Sequence, residues 1–93
     1  MVRHYQIKTA SEVLVSVDVE TAGPYPGRYS LLSIGACLVL NPAITFYVEL
    51  QPLSFDAIPD ALAISGLSLE QLSQRGVSPV DAMLRFASWI ESI

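Results

Sequence analysis

Residues 13–21 read VLVSVDVET, a short apolar run that ends in two carboxylates two positions apart. The β-branched content and the length of the run predict a strand. Successive strand side chains alternate between faces, so Asp18 and Glu20 are expected to point the same way, roughly 6.6 Å apart at Cα. Carboxylate oxygens are the ligands that Mg²⁺ and Mn²⁺ favour in proteins. The stretch therefore predicts half of a divalent-cation site at the end of a buried strand.

The length limits the chain to one domain, and the composition predicts an apolar surface that other residues must cover. The chain has 93 residues, of which 52% are hydrophobic and 15% are charged. Globular domains usually carry about 25% charged residues. We therefore expect a partner subunit or further sequence to cover part of this apolar chain.

The charge and the single cysteine exclude some classes of function. The net charge is −4 and the five cationic side chains are scattered, which argues against a stand-alone nucleic-acid-binding module. It does not argue against a metal-dependent nuclease, where cations supply the positive charge. Cys37 is the only cysteine, which is typical of a reducing compartment, and the N-terminus has no signal-peptide pattern. Both features favour a cytoplasmic location. Residues 29–48 lack charge, but the Asn41-Pro42 turn argues against a membrane span.

Three strands are predicted in the first half of the chain. They cover residues 13–19, 29–40 and 44–50, and the last two are joined so tightly that they should pair antiparallel. Residues 1–11 have no clear period and are predicted to be a flexible lead-in, which leaves residues 12–93 as the folded part.

Three helices are predicted in the second half. Pro59 and Gly66 bracket a short helix, and Ser68 with Gln71 forms a capping box that opens a second one ending at Gly76. Ser78 opens a third, longer helix. Its predicted core stripe consists of Val80, Met83, Leu84, Ala87 and Ile90, widened by Phe86, Trp89 and Ile93. The order predicts an α/β fold, which further strands and helices would complete as a mixed sandwich.

Three segments in this order resemble the N-terminal half of the DEDD-type 3′→5′ exonucleases, the proofreading-exonuclease and ribonuclease T-like group. They are DVETAG at 18–23, LSIGA at 32–36, and PDA at 59–61 followed by SGLS at 65–68. The resemblance covers about residues 12–93. It implies an incomplete ribonuclease H-like mixed sheet and hydrolysis of phosphodiester bonds at the 3′ end of a single-stranded nucleic acid.

The resemblance also implies roles for individual residues. Asp18 resembles the carboxylate shared by two divalent cations, Mg²⁺ or Mn²⁺, and Glu20 resembles a ligand of the cation that activates water. The backbone at Thr21 and Ala22 would lie against the terminal sugar, and Tyr25 would stack on a base. The segment that wedges against bases in the family corresponds to Ile64 and to Ser65, where many relatives carry His.

The family's remaining two aspartates and its general-base histidine would come after residue 93, and His4 precedes the first motif. We therefore expect the 93 residues alone to be inactive and to bind metal weakly. The alternative interpretation is a truncated or degenerate exonuclease-like module, whose apolar helix and open sheet face would dock onto a partner or a second copy.

Overall fold

The computed structural model describes residues 1–8 and 13–93. Four strands come first, and three helices follow them. The strands are β1 (Val2–Lys8), β2 (Leu14–Thr21), β3 (Leu31–Leu38) and β4 (Thr45–Glu49), and the helices are α1 (Pro59–Ser65), α2 (Leu69–Arg75) and α3 (Pro79–Ser92). The predicted α/β class, with two short helices and one longer helix after the strands, is confirmed. No helix in the described part of the chain is long and apolar enough to cross a membrane.

The strands form one antiparallel sheet in the order β1-β2-β3-β4. Asp18 pairs with His4 on β1 and with Gly35 on β3, and Gly35 pairs in turn with Tyr47 on β4. Because directly opposed residues share a face, these four positions form one row across the sheet. This row crosses the face that carries the candidate site.

The first strand corrects the prediction of three strands. Residues 2–8 were expected to be flexible lead-in, but Val2–Lys8 pairs along its whole length with β2. All seven of its residues are exposed. It therefore gains its stability from main-chain hydrogen bonds to β2, and no apolar pattern in the sequence announces it. The remainder of the predicted lead-in, residues 9–11, lies outside the described residues.

The core lies on the sheet face opposite to Asp18. Val15, Val17, Ile34, Val48 and Leu50 are buried there beneath α3. A second cluster forms where α2 packs beside the start of β3, around Leu32, Leu69 and Leu72. Leu62 and Leu67, at the end of α1 and just after it, pack against this second cluster beside the candidate site.

The predicted stripe of α3 was partly wrong. Phe86, Trp89, Ile90 and Ile93 do pack against the core, together with the fully buried Ala82. Val80, Met83, Leu84 and Ala87 are exposed instead. The small Ala82 side chain lets the helix approach the sheet closely, and the rings of Phe86 and Trp89 lie 5.4 and 5.7 Å from the ring of Phe46 on β4. These contacts determine which face of α3 packs on the sheet. They leave the apolar residues on the other side of the helix exposed.

The predicted helix boundaries are confirmed where side chains or glycine define them. Ser68 and Ser78 accept hydrogen bonds from the backbone N–H groups of Gln71 and Asp81. Gly66 ends α1 in the left-handed conformation, with φ 71°. That turn leads the chain from Ser65 into the segment beside the site.

Candidate metal and substrate site

Asp18 and Glu20 lie on one face of β2, as the alternation of strand side chains predicts. The buried Val15 and Val17 occupy the other face. The pairing of β2 with β3 shifts register between Glu20 and Thr21, so that Glu20 pairs with Ser33 whereas Thr21 pairs with Leu31. The two carboxylates are therefore the last side chains on this face before the sheet becomes irregular.

A small cavity of about 180 Å³ brings the two carboxylates together with the end of α1. Ser65 and Leu67 line it from the helix side. The Ser65 hydroxyl donates to the Leu62 carbonyl and accepts from the Leu67 N–H, so its position is fixed by its own segment. The remaining lining residues come from β3 and β4, namely Ser33, Gly35 and Tyr47.

Glu20 carries the feature most suggestive of a bound cation. Its Oε2 atom is buried, and none of the described residues offers it a hydrogen bond. A buried carboxylate oxygen without a partner is costly, because its lost hydration is not replaced. A divalent cation would supply the missing partner.

Asp18 is already engaged on its other side. Its Oδ1 lies 2.5 Å from Nδ1 of His4, and Nε2 of His4 lies 3.3 Å from the hydroxyl of Ser16. Both the His4 and Asp18 side chains are more than half exposed, at 51% and 60%. A cation at Asp18 would therefore use Oδ2 or displace the imidazole from Oδ1.

Tyr47 and Glu49 add a further polar group to this face. The Tyr47 hydroxyl donates to Oε2 of Glu49 over 3.0 Å. Burial, then the hydrogen bond to Glu49 and its charge, raise the pKa of Tyr47 above its usual 10.0; the Glu20 charge acts in the same direction and Ser33 opposes it. The hydroxyl therefore stays protonated and is held toward Glu49.

The other predicted substrate residues are not gathered in this cavity. Ala22 is fully buried, its N–H donates to the Ser30 carbonyl, and its own carbonyl accepts from the Ile58 N–H. The Thr21 hydroxyl donates to the Gly23 carbonyl. Main-chain contact between a sugar and Ala22 would need these hydrogen bonds to open.

Tyr25 and Ile64 are available at the surface, 63% and 70% exposed. The ring of Tyr25 stacks on that of Tyr29 at 6.3 Å, with 26° between the planes. This orients an exposed aromatic face in the loop that follows the carboxylates. The predicted roles of both residues in substrate binding remain predictions.

The oxygen donors fit a hard divalent cation, but they do not complete a site. Within residues 1–8 and 13–93, no group of three or more His, Cys, Asp or Glu side chains is arranged to hold a metal ion. Asp18 and Glu20 would hold Mg²⁺ or Mn²⁺ as two ligands, with water or other groups in the remaining positions.

Sequence reasoning missed the neighbours of the carboxylates. The sequence predicts neither His4, which precedes the first motif, nor Glu49 to lie on the same face as Asp18 and Glu20. Their positions follow from strand register, and His4 is opposite Asp18 only because β1 pairs with β2. The sequence of β1 does not predict this register, because Val2 and Arg3 break the alternation of Tyr5 and Ile7 with polar residues.

One comparison relates the chain to an exonuclease. Over 87 residues it is 53% identical to the 3′-5′ DNA exonuclease Cap18 of Escherichia coli, covering 94% of this chain and 46% of that protein. The chain therefore spans about half the length of the curated relative it matches. Since 93 − 87 leaves six residues unaligned, residues 18–65 lie inside the matched stretch. No protein-family model matches the chain.

Proposed function

We propose that the chain forms the N-terminal half of a metal-dependent 3′→5′ exonuclease domain that acts on single-stranded DNA ends. The observation that carries the proposal is the buried, unpartnered Oε2 of Glu20, which shares a cavity with Asp18. The similarity to a 3′-5′ DNA exonuclease supports the reaction and favours DNA as the substrate. The DEDD-type site and the ribonuclease H-like arrangement belong to this proposal.

The carboxylates would act by holding charge beside the scissile phosphate. Divalent cations lower the pKa of a bound water and stabilise the attacking and leaving oxygens. Asp18 and Glu20 contribute two negative charges from one rigid strand, so the cation position is set by β2 and not by a loop. The buried side of Glu20 limits competition from water at Oε2.

The segment at the end of α1 would position the substrate. Ser65 and Leu67 face the carboxylates across the cavity, and the exposed Ile64 lies next to them in the chain. Tyr25 would stack on a base, an interaction worth about 1–3 kcal/mol that tolerates any base. The two further aspartates and the general-base histidine of the family would be supplied by residues outside these 93.

The test is degradation of a 3′-end-labelled single-stranded DNA oligonucleotide with Mg²⁺, Mn²⁺ or EDTA. It compares the 93-residue chain with the protein that includes any sequence following residue 93. We expect metal-dependent release of nucleotides from the longer protein only, and its loss in Asp18→Asn and in Glu20→Gln. Glu91→Gln, an exposed acid on α3, is the matched control. Activity that survives in Asp18→Asn would contradict the proposal.

A second candidate function rests on the uncovered face of α3. Val80 and Leu84 are 70% and 64% exposed, and Met83 and Ala87 lie on the same side. An apolar stripe of this kind is typical of an interface. The chain would then act as an interaction module that dimerises or docks onto a partner.

Sedimentation of the 93-residue chain distinguishes the module from a monomer. A dimer that dissociates in Leu84→Asp, but not in Glu70→Gln, an exposed acid on α2, would support self-assembly through α3. A monomeric wild-type chain would contradict it.

A further inference from the structure

A second cavity, larger than the one at the carboxylates, lies away from them. Its volume is about 680 Å³, and it is bounded by β1, by the loop after β2 and by residues 53 and 54. Val19 and Thr21 line it from β2. These residues alternate with Asp18 and Glu20, so the cavity opens on the other side of the strand. Its size falls in the range of about 300–1,000 Å³ that is typical of small-molecule sites.

Two of the five cationic side chains of this acidic protein line that cavity. Arg3 comes from β1 and Arg28 from the loop after β2. The Arg3 guanidinium donates only a long hydrogen bond, 3.4 Å, to the Pro24 carbonyl. Neither arginine forms an ion pair with a carboxylate of the described residues. Both guanidinium groups therefore retain donors for an anion, and their planar shape matches phosphate.

Aromatic and apolar surface forms the rest of the wall. The Arg28 guanidinium lies over the ring of Tyr29, 5.1 Å from its centroid, and Tyr5 and Leu31 also line the cavity. The Ser30 hydroxyl already accepts from the Leu53 N–H. Few polar groups are thus left to read the edge of a base, whereas flat apolar surface is plentiful.

We propose that this cavity binds a nucleoside 5′-monophosphate, with the phosphate at Arg3 and Arg28 and the base against Tyr5, which is 48% exposed and lines the cavity. Two guanidinium groups match the two negative charges of a phosphate monoester. A long nucleic acid strand fits less well, because the remaining cationic residues are scattered over a chain of net charge −4. The site uses neither Asp18 nor Glu20, so it does not depend on the proposed nuclease function.

Isothermal titration of the 93-residue chain with deoxyadenosine monophosphate in EDTA tests the proposal. We expect saturable binding that is about tenfold tighter than binding of inorganic phosphate or of deoxyadenosine alone, because both ends of the nucleotide contribute. Arg28→Gln and Arg3→Gln should each weaken binding by about tenfold or more, since each removes charged hydrogen bonds. Arg85→Gln, an exposed arginine on α3, is the matched control and should leave binding unchanged.

Several results would overturn the proposal. They are the absence of saturable binding, inorganic phosphate that binds as tightly as the nucleotide, or an equal loss in the Arg85→Gln control. Loss of binding in Asp18→Asn would place the ligand at the carboxylates and would also overturn it. Far-UV circular dichroism of each variant separates lost binding from lost folding, and both cavity arginines are exposed enough for substitution to leave the fold intact.

Discussion

Replacing Glu20 by Gln should change stability in opposite directions with and without metal. The buried Oε2 has no partner among the described residues, so the metal-free protein carries the cost of burying charge there. An unpartnered charge costs more to bury than an unpartnered neutral polar group, and we take the difference as about 1 kcal/mol because Glu20 is only half-buried. The amide keeps the shape of the side chain and removes its charge. We therefore expect the free energy of unfolding in EDTA to rise by about 1 kcal/mol, or about 4–8 °C in Tm for a domain of this size.

With Mn²⁺ bound, the wild-type chain should become more stable than Glu20→Gln. At a Mn²⁺ concentration about tenfold above Kd, binding stabilises the wild-type chain by about 1.4 kcal/mol. Glu20→Gln loses one of two ligands and should show little of this gain. Thermal unfolding followed by circular dichroism, in EDTA and in a Mn²⁺ series, measures both effects, with Glu91→Gln as the control. An equal Mn²⁺-dependent rise of Tm in Glu20→Gln would refute the assignment of Glu20 as a ligand. An unchanged Tm in EDTA would refute the cost assigned to its buried oxygen.

Three further predictions test the packing and the polar face. Phe86→Ala should lower the free energy of unfolding by about 2–4 kcal/mol, because it removes the ring packed on Phe46. Leu84→Ala should change it by less than about 0.5 kcal/mol, because Leu84 is exposed. Urea unfolding of both variants measures the two effects. Gly76→Ala should destabilise the chain by more than about 1 kcal/mol in the same assay, because a Cβ there would lie 2.6 Å from the backbone after β4, and an unchanged midpoint would contradict this. Glu49→Gln should lower the raised pKa of Tyr47 only part of the way back toward 10.0, because burial still raises it. The stability linked to the raised pKa is present below pH 10.0 and is lost as the pH rises through the raised pKa. A tyrosinate absorbance titration that is the same in Glu49→Gln and in the wild-type chain would contradict the contact between Tyr47 and Glu49.

The local features of the fold could be predicted because neighbouring residues determine them. The β-branched run that carries Asp18, the capping serine Ser68 and the helix-ending Gly66 each act within a few residues, and the structure confirms the elements they define. The orientation of α3 was predicted less well, since its apolar residues surround much of the helix. Which side faces the sheet depends on Phe86 and Trp89 meeting Phe46 of β4, and no local pattern encodes those contacts.

The candidate site likewise has a part that the sequence predicts and a part that it does not. Asp18 and Glu20 required only the two-residue period of a strand, so the sequence sufficed to place them on one face. Their surroundings require register, because one residue of slip moves every side chain of a strand to the opposite face. β1 matters most in this respect. All of its residues are exposed, yet its pairing brings His4 to within 2.5 Å of Asp18 and brings Arg3 to the second cavity. Main-chain pairing of one exposed edge strand therefore connects both candidate sites, because its removal would take His4 away from Asp18 and Arg3 away from the second cavity.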